Sequence, residues 1–190
     1  MTRLESIQAS IRAHLASLAQ IGEAASVIER IVGIIADCLK AGGKILTCGN
    51  GGSAAEALHL AEEMIGRFAK KRRPLRAICL SADPTAITCI ANDYGFEQVF
   101  ARQLEGLASK GDVLVALSTS GASANILRAL EAAKKLGVRT IGLLGAPASP
   151  AEKLCDVAFT LKASHNAHIQ ELHLMVIHLI LEQLDELSPI

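Results

Sequence analysis

Tryptophan is absent from this 190-residue chain, tyrosine occurs once and phenylalanine four times, so aromatics make up only 3%. The core must therefore be built from Leu, Ile, Val and Ala, which dominate a hydrophobic fraction of 51% and a mean hydropathy of +0.35. Net charge is lacking too. Nineteen Lys and Arg balance nineteen Asp and Glu, which removes the basic footprint expected of a nucleic-acid binder. The one basic run, Lys70-Lys71-Arg72-Arg73, reads as a solvated loop. No CxxC pair occurs among Cys38, Cys48, Cys79, Cys89 and Cys155, an odd and scattered set that points to reduced thiols in a cytoplasmic protein. No long hydrophobic run opens the chain: residues 1–11 alternate charged and apolar, with no signal peptide or membrane span in view.

What is present is an alternation. Residues 3–20 and 23–40 read as helices, with apolar positions recurring at three and four residues. Short apolar strands are expected at 44–48, 75–81, 112–117, 139–144 and 157–161. Between them lie helices at 53–68, around 83–91 and 96–108, at 123–136 and near 150–154, and a final helix spans about 166–187. Strands that are apolar throughout imply a sheet covered on both faces, and strands alternating with helices imply parallel pairing. The expected fold is a three-layer αβα sandwich with a five-stranded parallel sheet, one domain over residues 1–190, with 1–40 a helical arm. The high apolar content points to helices buried between subunits.

Two polar loops fall at strand-to-helix junctions, Gly49-Asn50-Gly51-Gly52-Ser53 and Ser118-Thr119-Ser120-Gly121-Ala122-Ser123. Such loops aim free N–H groups, hydroxyls and a positive helix end at one point, where a phosphate fits. In an open parallel sheet both lie on the ligand-binding side. The pattern is neither GxGxxG nor GxxxxGK[ST], so nucleotide binding has no specific support.

On the helix behind the first loop, a 100° rotation per residue groups Ala54, Ala57, Leu58, Ala61, Met64, Ile65 and Phe68 toward the core. His59 and Glu63 project oppositely with Glu56 beside them, and Glu62 lies nearer the edge of the apolar stripe. An isolated His–Glu pair would only steady a helix; behind a phosphate loop it gains an acid/base reading. The C-terminal helix carries His165, His168, Gln170, Glu171, His173 and His178 in a run apolar on every side, hence buried, and buried polar groups need partners. Spacing leaves open whether His173 or His178 joins Gln170 at an ion, since Gln170 and His178 are about 12 Å apart along the axis.

The chain resembles the phosphoheptose isomerases of the sugar isomerase (SIS) domain superfamily. The resemblance runs through Cys48-Gly49-Asn50-Gly51-Gly52-Ser53, His59-Leu60-Ala61-Glu62-Glu63, Gly66-Arg67-Phe68, Ala91-Asn92-Asp93-Tyr94-Gly95, Gly111-Asp112-Val113-Leu114, Ser118-Thr119-Ser120-Gly121 and Ile169-Gln170-Glu171 to His178. It implies a flavodoxin-like strand order and conversion of sedoheptulose 7-phosphate to D-glycero-D-manno-heptose 7-phosphate, a step toward heptose for lipopolysaccharide or another surface polysaccharide. It further implies substrate contacts from Asn50, Gly51, Gly52, Ser53, Glu63, Asn92, Asp93, Ser118, Thr119, Ser120, Ser123 and Gln170. One zinc ion per subunit is implied at His59, Glu63, Gln170 and His178, with Glu63 and His178 as the acid/base pair. The implied assembly is a homotetramer with active sites between subunits. Arg67 is expected to face substrate oxygens or the surface. A non-catalytic relative of the same fold lacks the pair at Glu63 and His178, and this chain retains both. The competing readings are such a binding module, or an isomerase of another sugar phosphate. In the segment Gly145-Ala146-Pro147-Ala148-Ser149-Pro150 the chain departs from the Gly-Gly turn common in relatives.

Overall fold

The computed structural model describes residues 1–187. Two helices, α1 (Arg3–Glu23) and α2 (Ala25–Lys40), precede five strands: β1 (Ile45–Cys48), β2 (Ala77–Cys79), β3 (Val113–Ser118), β4 (Arg139–Leu144) and β5 (Val157–Thr160). Helix α3 (Gly52–Ile65) follows β1, and α4 (Pro84–Tyr94), a 3-10 turn (Phe96–Gln98) and α5 (Ala101–Leu107) follow β2. Helices α6 (Ala124–Lys135), α7 (Pro150–Leu154) and α8 (Asn166–Glu186) complete the chain. The strands pair in parallel in the order β2-β1-β3-β4-β5, the expected flavodoxin-like arrangement. None of the helices among the described residues is long and apolar enough to cross a membrane.

One face of the sheet is covered by α2, α3 and α8, the other by α5, α6 and α7. Every residue of β1 and β3 is buried, which is why these strands read as apolar runs instead of alternating patterns. Helix α2 belongs to the core, burying Ile28, Ile31, Val32, Ile34, Ile35 and Leu39 among others. Each such side chain contributes about 1.5–3 kcal/mol by leaving water. Helix α1 lies outside it and buries only Ser17 and Ile21.

Two sequence expectations fail near α3. The helix ends at Ile65, not Phe68, because Gly66 stops it. The basic run is not wholly solvated either, since the Arg72 side chain is 2% exposed and pairs with an equally buried Asp185 of α8 at 2.7 Å. The guanidinium also donates to the carbonyls of Glu63 and Met64, each at 2.9 Å. It thereby satisfies orphan acceptors at the C-terminal end of α3.

Asp185 additionally accepts the backbone N–H groups of Ala69 and Lys70. Burial works against its charge, but the Lys70 N–H and Arg72 outweigh it, and the carboxyl is held below its usual range. A carboxylate lowered in this way stabilises the fold fully above the unfolded value near pH 4, and the contribution is lost as pH falls through the folded value. Asp185→Asn strands a buried guanidinium and is expected to cost about 3–5 kcal/mol. Its denaturation midpoint should fall accordingly, and its acid-unfolding limb should lose steepness relative to the parent chain in a urea series between pH 2 and 7.

Candidate active site

The neighbours of β1 set the site. Helix α3 leaves β1 toward one face of the sheet and α6 leaves β3 toward the other, so the carboxyl ends of these adjacent strands open a crevice at the point where chain direction switches. Both polar loops line it. The first is pinned by Ser81, whose hydroxyl accepts from Gly49 N–H and donates to Gly49 C=O. Gly51, at the N-cap of α3, takes φ 54°, a left-handed conformation that glycine adopts at little cost. In the second loop Ser118 Oγ accepts Gly121 N–H and Ser120 Oγ accepts Ala122 N–H.

The loops are joined by a reciprocal amide pair. Asn50 Nδ2 donates to Asn125 Oδ1 at 2.9 Å, and Asn125 Nδ2 donates to Asn50 Oδ1 at 2.8 Å. Asn125, buried at 2% exposure, was not singled out from sequence, where it resembles any polar residue in the first turn of a helix. Between the loops lies a polar cavity of about 60 Å3 lined by Asn50, Ser53, Ser118, Thr119, Ser123 and Gln170. Ser123 caps α6 without a side-chain bond, which leaves its hydroxyl for a ligand.

Behind this cavity the residues of α3 meet α8. His59 Nε2 lies 3.1 Å from His178 Nε2 and 3.9 Å from Glu63 Oε1. His178 is stacked on Phe68 at 5.5 Å. Glu62 approaches the other ring nitrogen of His59, Oε2 standing 3.5 Å from Nδ1. An imidazole held by a carboxylate on one side and offered on the other is the arrangement metal-binding histidines use. Two facing imidazole nitrogens and a carboxylate oxygen also form a donor set that suits zinc.

His59 thus lies beside both Glu63 and His178, and His178 rather than His173 is the α8 histidine that meets it. His173 is fully buried, edge-on to Phe159, with neither ring nitrogen hydrogen-bonded. Burial lowers it to about 4, so it is neutral. Gln170 stands apart from the imidazoles and with the hydroxyls of the cavity.

The stripe assigned to α3 needs correction. Glu56 is buried beside the loop, not projecting with His59, and Leu58 and Ile65 are 46% and 51% exposed. The buried face is Ser53, Glu56, Ala57, Leu60, Ala61 and Met64, a rotation of the stripe toward the sheet that leaves Glu62 outside it. Arg67, beyond the helix end, is exposed. Asn92 and Asp93 are exposed on α4, bonded to each other at 2.7 Å and not to the loops.

Fold and crevice together define an open α/β domain with two polar loops at its switch point, and the SIS domain family matches residues 9–145 of the chain. The chain belongs to the phosphoheptose isomerase family. It is 56% identical to the phosphoheptose isomerase of a Nitratiruptor species over 80% of this chain and 82% of that one. It is 44% identical to that of Campylobacter concisus over 95% of both. The solved phosphoheptose isomerase of Neisseria gonorrhoeae superposes with a TM-score of 0.92 at 35% identity, covering 97% of this chain and 100% of that one.

Gly52 keeps Gln170 in the cavity, because a Cβ there would fall 2.3 Å from Gln170 Nε2. The obstruction is the end of a flexible side chain, and alanine in the first turn of a helix is otherwise favourable by up to about 1 kcal/mol. Gly52→Ala is therefore expected to fold with undiminished thermal stability. If the cavity takes a phosphate, displacing Gln170 removes a hydrogen bond to a charged ligand, about 1.5–3 kcal/mol, and sugar-phosphate affinity measured by calorimetry should fall at least tenfold.

Proposed function

We propose that this chain isomerises sedoheptulose 7-phosphate to D-glycero-D-manno-heptose 7-phosphate. The observation that carries this reading is the placement of the His59–Glu63–His178 cluster two turns along α3 from a hydroxyl-lined cavity. In this reading the cavity takes the phosphate through Asn50, Gly51, Gly52, Ser53, Ser118, Thr119, Ser120, Ser123 and Gln170. The distance along α8 from Gln170 to His178, about 12 Å, is one that a seven-carbon chain can span, so the reacting carbons come to rest beside the acid/base groups.

Conversion of ketose to aldose moves a proton from C1 to C2 through an enediol. Glu63 takes the proton from C1 and returns it to C2, while His178 transfers a proton from O1 to O2. Each group is worth about 10²–10⁴-fold in rate. The Glu63 side chain is only 19% exposed, which limits exchange of the carried proton with water. His59, Glu63 and His178 would hold a zinc ion, and Gln170 stays with the cavity. Bound there, the ion would polarise the substrate carbonyl as a Lewis acid. Glu62 orients His59 for that role.

The assembly belongs to the same proposal. Leu4, Ile7, Ile11 and Leu15 recur along one stripe of α1 and are all more than half exposed. Helix α4 buries no residue at all, and its last residue Tyr94 and the following Phe96 are more than half exposed. A homotetramer covering these faces brings Asn92, Asp93 and Arg67 to a substrate site between subunits. We place the enzyme in the cytoplasm, in keeping with its five unpaired cysteines.

Incubation with sedoheptulose 7-phosphate, followed by NMR of the aldose anomeric proton, tests the reaction. Turnover is expected, and Glu63→Gln and His178→Asn should each slow it by about 10²–10⁴-fold; near-normal rates in both would remove the assigned roles. Removal of metal by a chelator should abolish turnover and added zinc should restore it, whereas full activity in metal-free protein rejects the ion.

A further inference from the structure

A second group of ligating side chains lies near the N-terminal end of α8, where it meets α1. His14 Nδ1 stands 3.1 Å from Glu171 Oε2, yet this nitrogen is buried without a hydrogen bond. His168 is 6% exposed. Its Nε2 lies 3.0 Å from Ser10 Oγ, and its Nδ1 is buried with no partner. A buried ring nitrogen without a partner is costly, and His168 Nδ1, beside the His14–Glu171 pair, calls for an explanation.

We propose that His14, His168 and Glu171 bind a divalent transition metal of the zinc class, joining α1 to the first turn of α8. One ligating atom from each lies within 4.8 Å of the others. Around a tetrahedral zinc with bonds near 2.0–2.1 Å, neighbouring ligand atoms are about 3.4 Å apart, so small side-chain rotations close the site. Two imidazoles and one carboxylate leave a fourth position for water, and a cavity of about 230 Å3 bounded by Ser10, Ile11, His14, Leu15, His168 and Glu171 provides the room. In the single chain the side chains of His14 and Glu171 are 31% and 59% exposed, which gives an ion access before Ile11 and Leu15 beside them are covered in an assembly. Imidazole donors favour zinc, nickel or copper over magnesium or calcium.

The site is distinct from the imidazole pair of the isomerase centre, since His168 and His178 are about 15 Å apart along α8. It does not rest on the isomerase reading. Its effect is mechanical: α1 buries only Ser17 and Ile21, and an ion bound only when α1 is docked adds its binding free energy to that docking.

The test uses the whole protein, stripped by chelation and titrated with zinc sulfate, with bound zinc per chain counted by elemental analysis after desalting. His14→Gln combined with Glu171→Gln should bind one equivalent fewer than the parent, whether or not the His59 centre fills. An unchanged count overturns the proposal. A second measurement needs no variant. In the parent chain, zinc should slow amide hydrogen exchange along α1 at least tenfold around residues 10–17, and exchange there that is indifferent to zinc overturns the site equally.

Discussion

The buried pair of Arg72 and Asp185 holds the last turn of α3 against α8. Its guanidinium reaches the carbonyls of Glu63 and Met64, so the clamp grips the very turn of α3 that carries Glu63. The other end of α3 is fixed by the first loop, through Gly51 at its N-cap and the Asn50–Asn125 pair. A helix held at both ends cannot slide or rotate, and one rigid element then relates the cavity to the imidazole pair. Buried ion pairs give little net stability, and their attested use is to specify one arrangement over others. Here the arrangement specified is the approach of His59 to His178 at 3.1 Å.

The layered sheet and the two loops were legible in the chain because buried parallel strands and glycine-serine junctions leave local signals. What was not legible depended on tertiary partners. Arg72 sits in a run of four basic residues, and nothing local distinguishes the one that finds a carboxylate more than a hundred positions away. Asn125 gains its meaning only from Asn50, seventy-five residues earlier. The core stripe on α3 was misplaced because Glu56 counted as polar and therefore outward, whereas the fold buries it beside Ser53. Leu58 and Ile65, set inward by the same logic, are exposed along a shallow surface with Cys79 and Ala82. The choice of His178 over His173 came from family resemblance, and the structure gives its reason: one histidine faces α3 and the other faces Phe159.

Buried ionisable groups divide into two kinds. Asp112 and Asp185 keep their charge, because Lys44 and Arg72 together with backbone N–H groups offset the cost of burial. Glu56 and His173 lack charged partners and resolve the same cost by staying neutral. Burial pushes Glu56 up to about 8, against the opposing effect of Ser53, and lowers His173 to about 4. Their consequences for stability oppose each other. Glu56 holds its proton more tightly folded than unfolded, so its contribution declines as pH rises from about 4.5 to about 8. His173 binds a proton more readily when unfolded, so its contribution grows as pH rises from about 4 to about 6.5. In the range they share, the two largely offset, and the net acid sensitivity falls to the paired carboxylates.

The polar residues of α8 are ordered by position. Glu171, His178 and Asp185 recur at intervals of seven, and a seven-residue step turns a straight helix by only about 20° from alignment. The three therefore lie along one stripe of an otherwise apolar helix. Each meets a different cationic or imidazole partner: His14 of α1, His59 of α3, and Arg72 beyond the end of α3. Exposure falls along the stripe, from an open Glu171 through a half-buried His178 to a closed Asp185. The deep end can support a permanent ion pair, since water does not compete for it. The middle can support proton transfer, since the imidazole is desolvated but reachable by substrate. The open end can support an exchangeable ion. On the proposed readings one helix sets a structural clamp, a catalytic group and a metal ligand at depths that suit each chemistry, and the seven-residue interval keeps all three on the side where α1 and α3 pack.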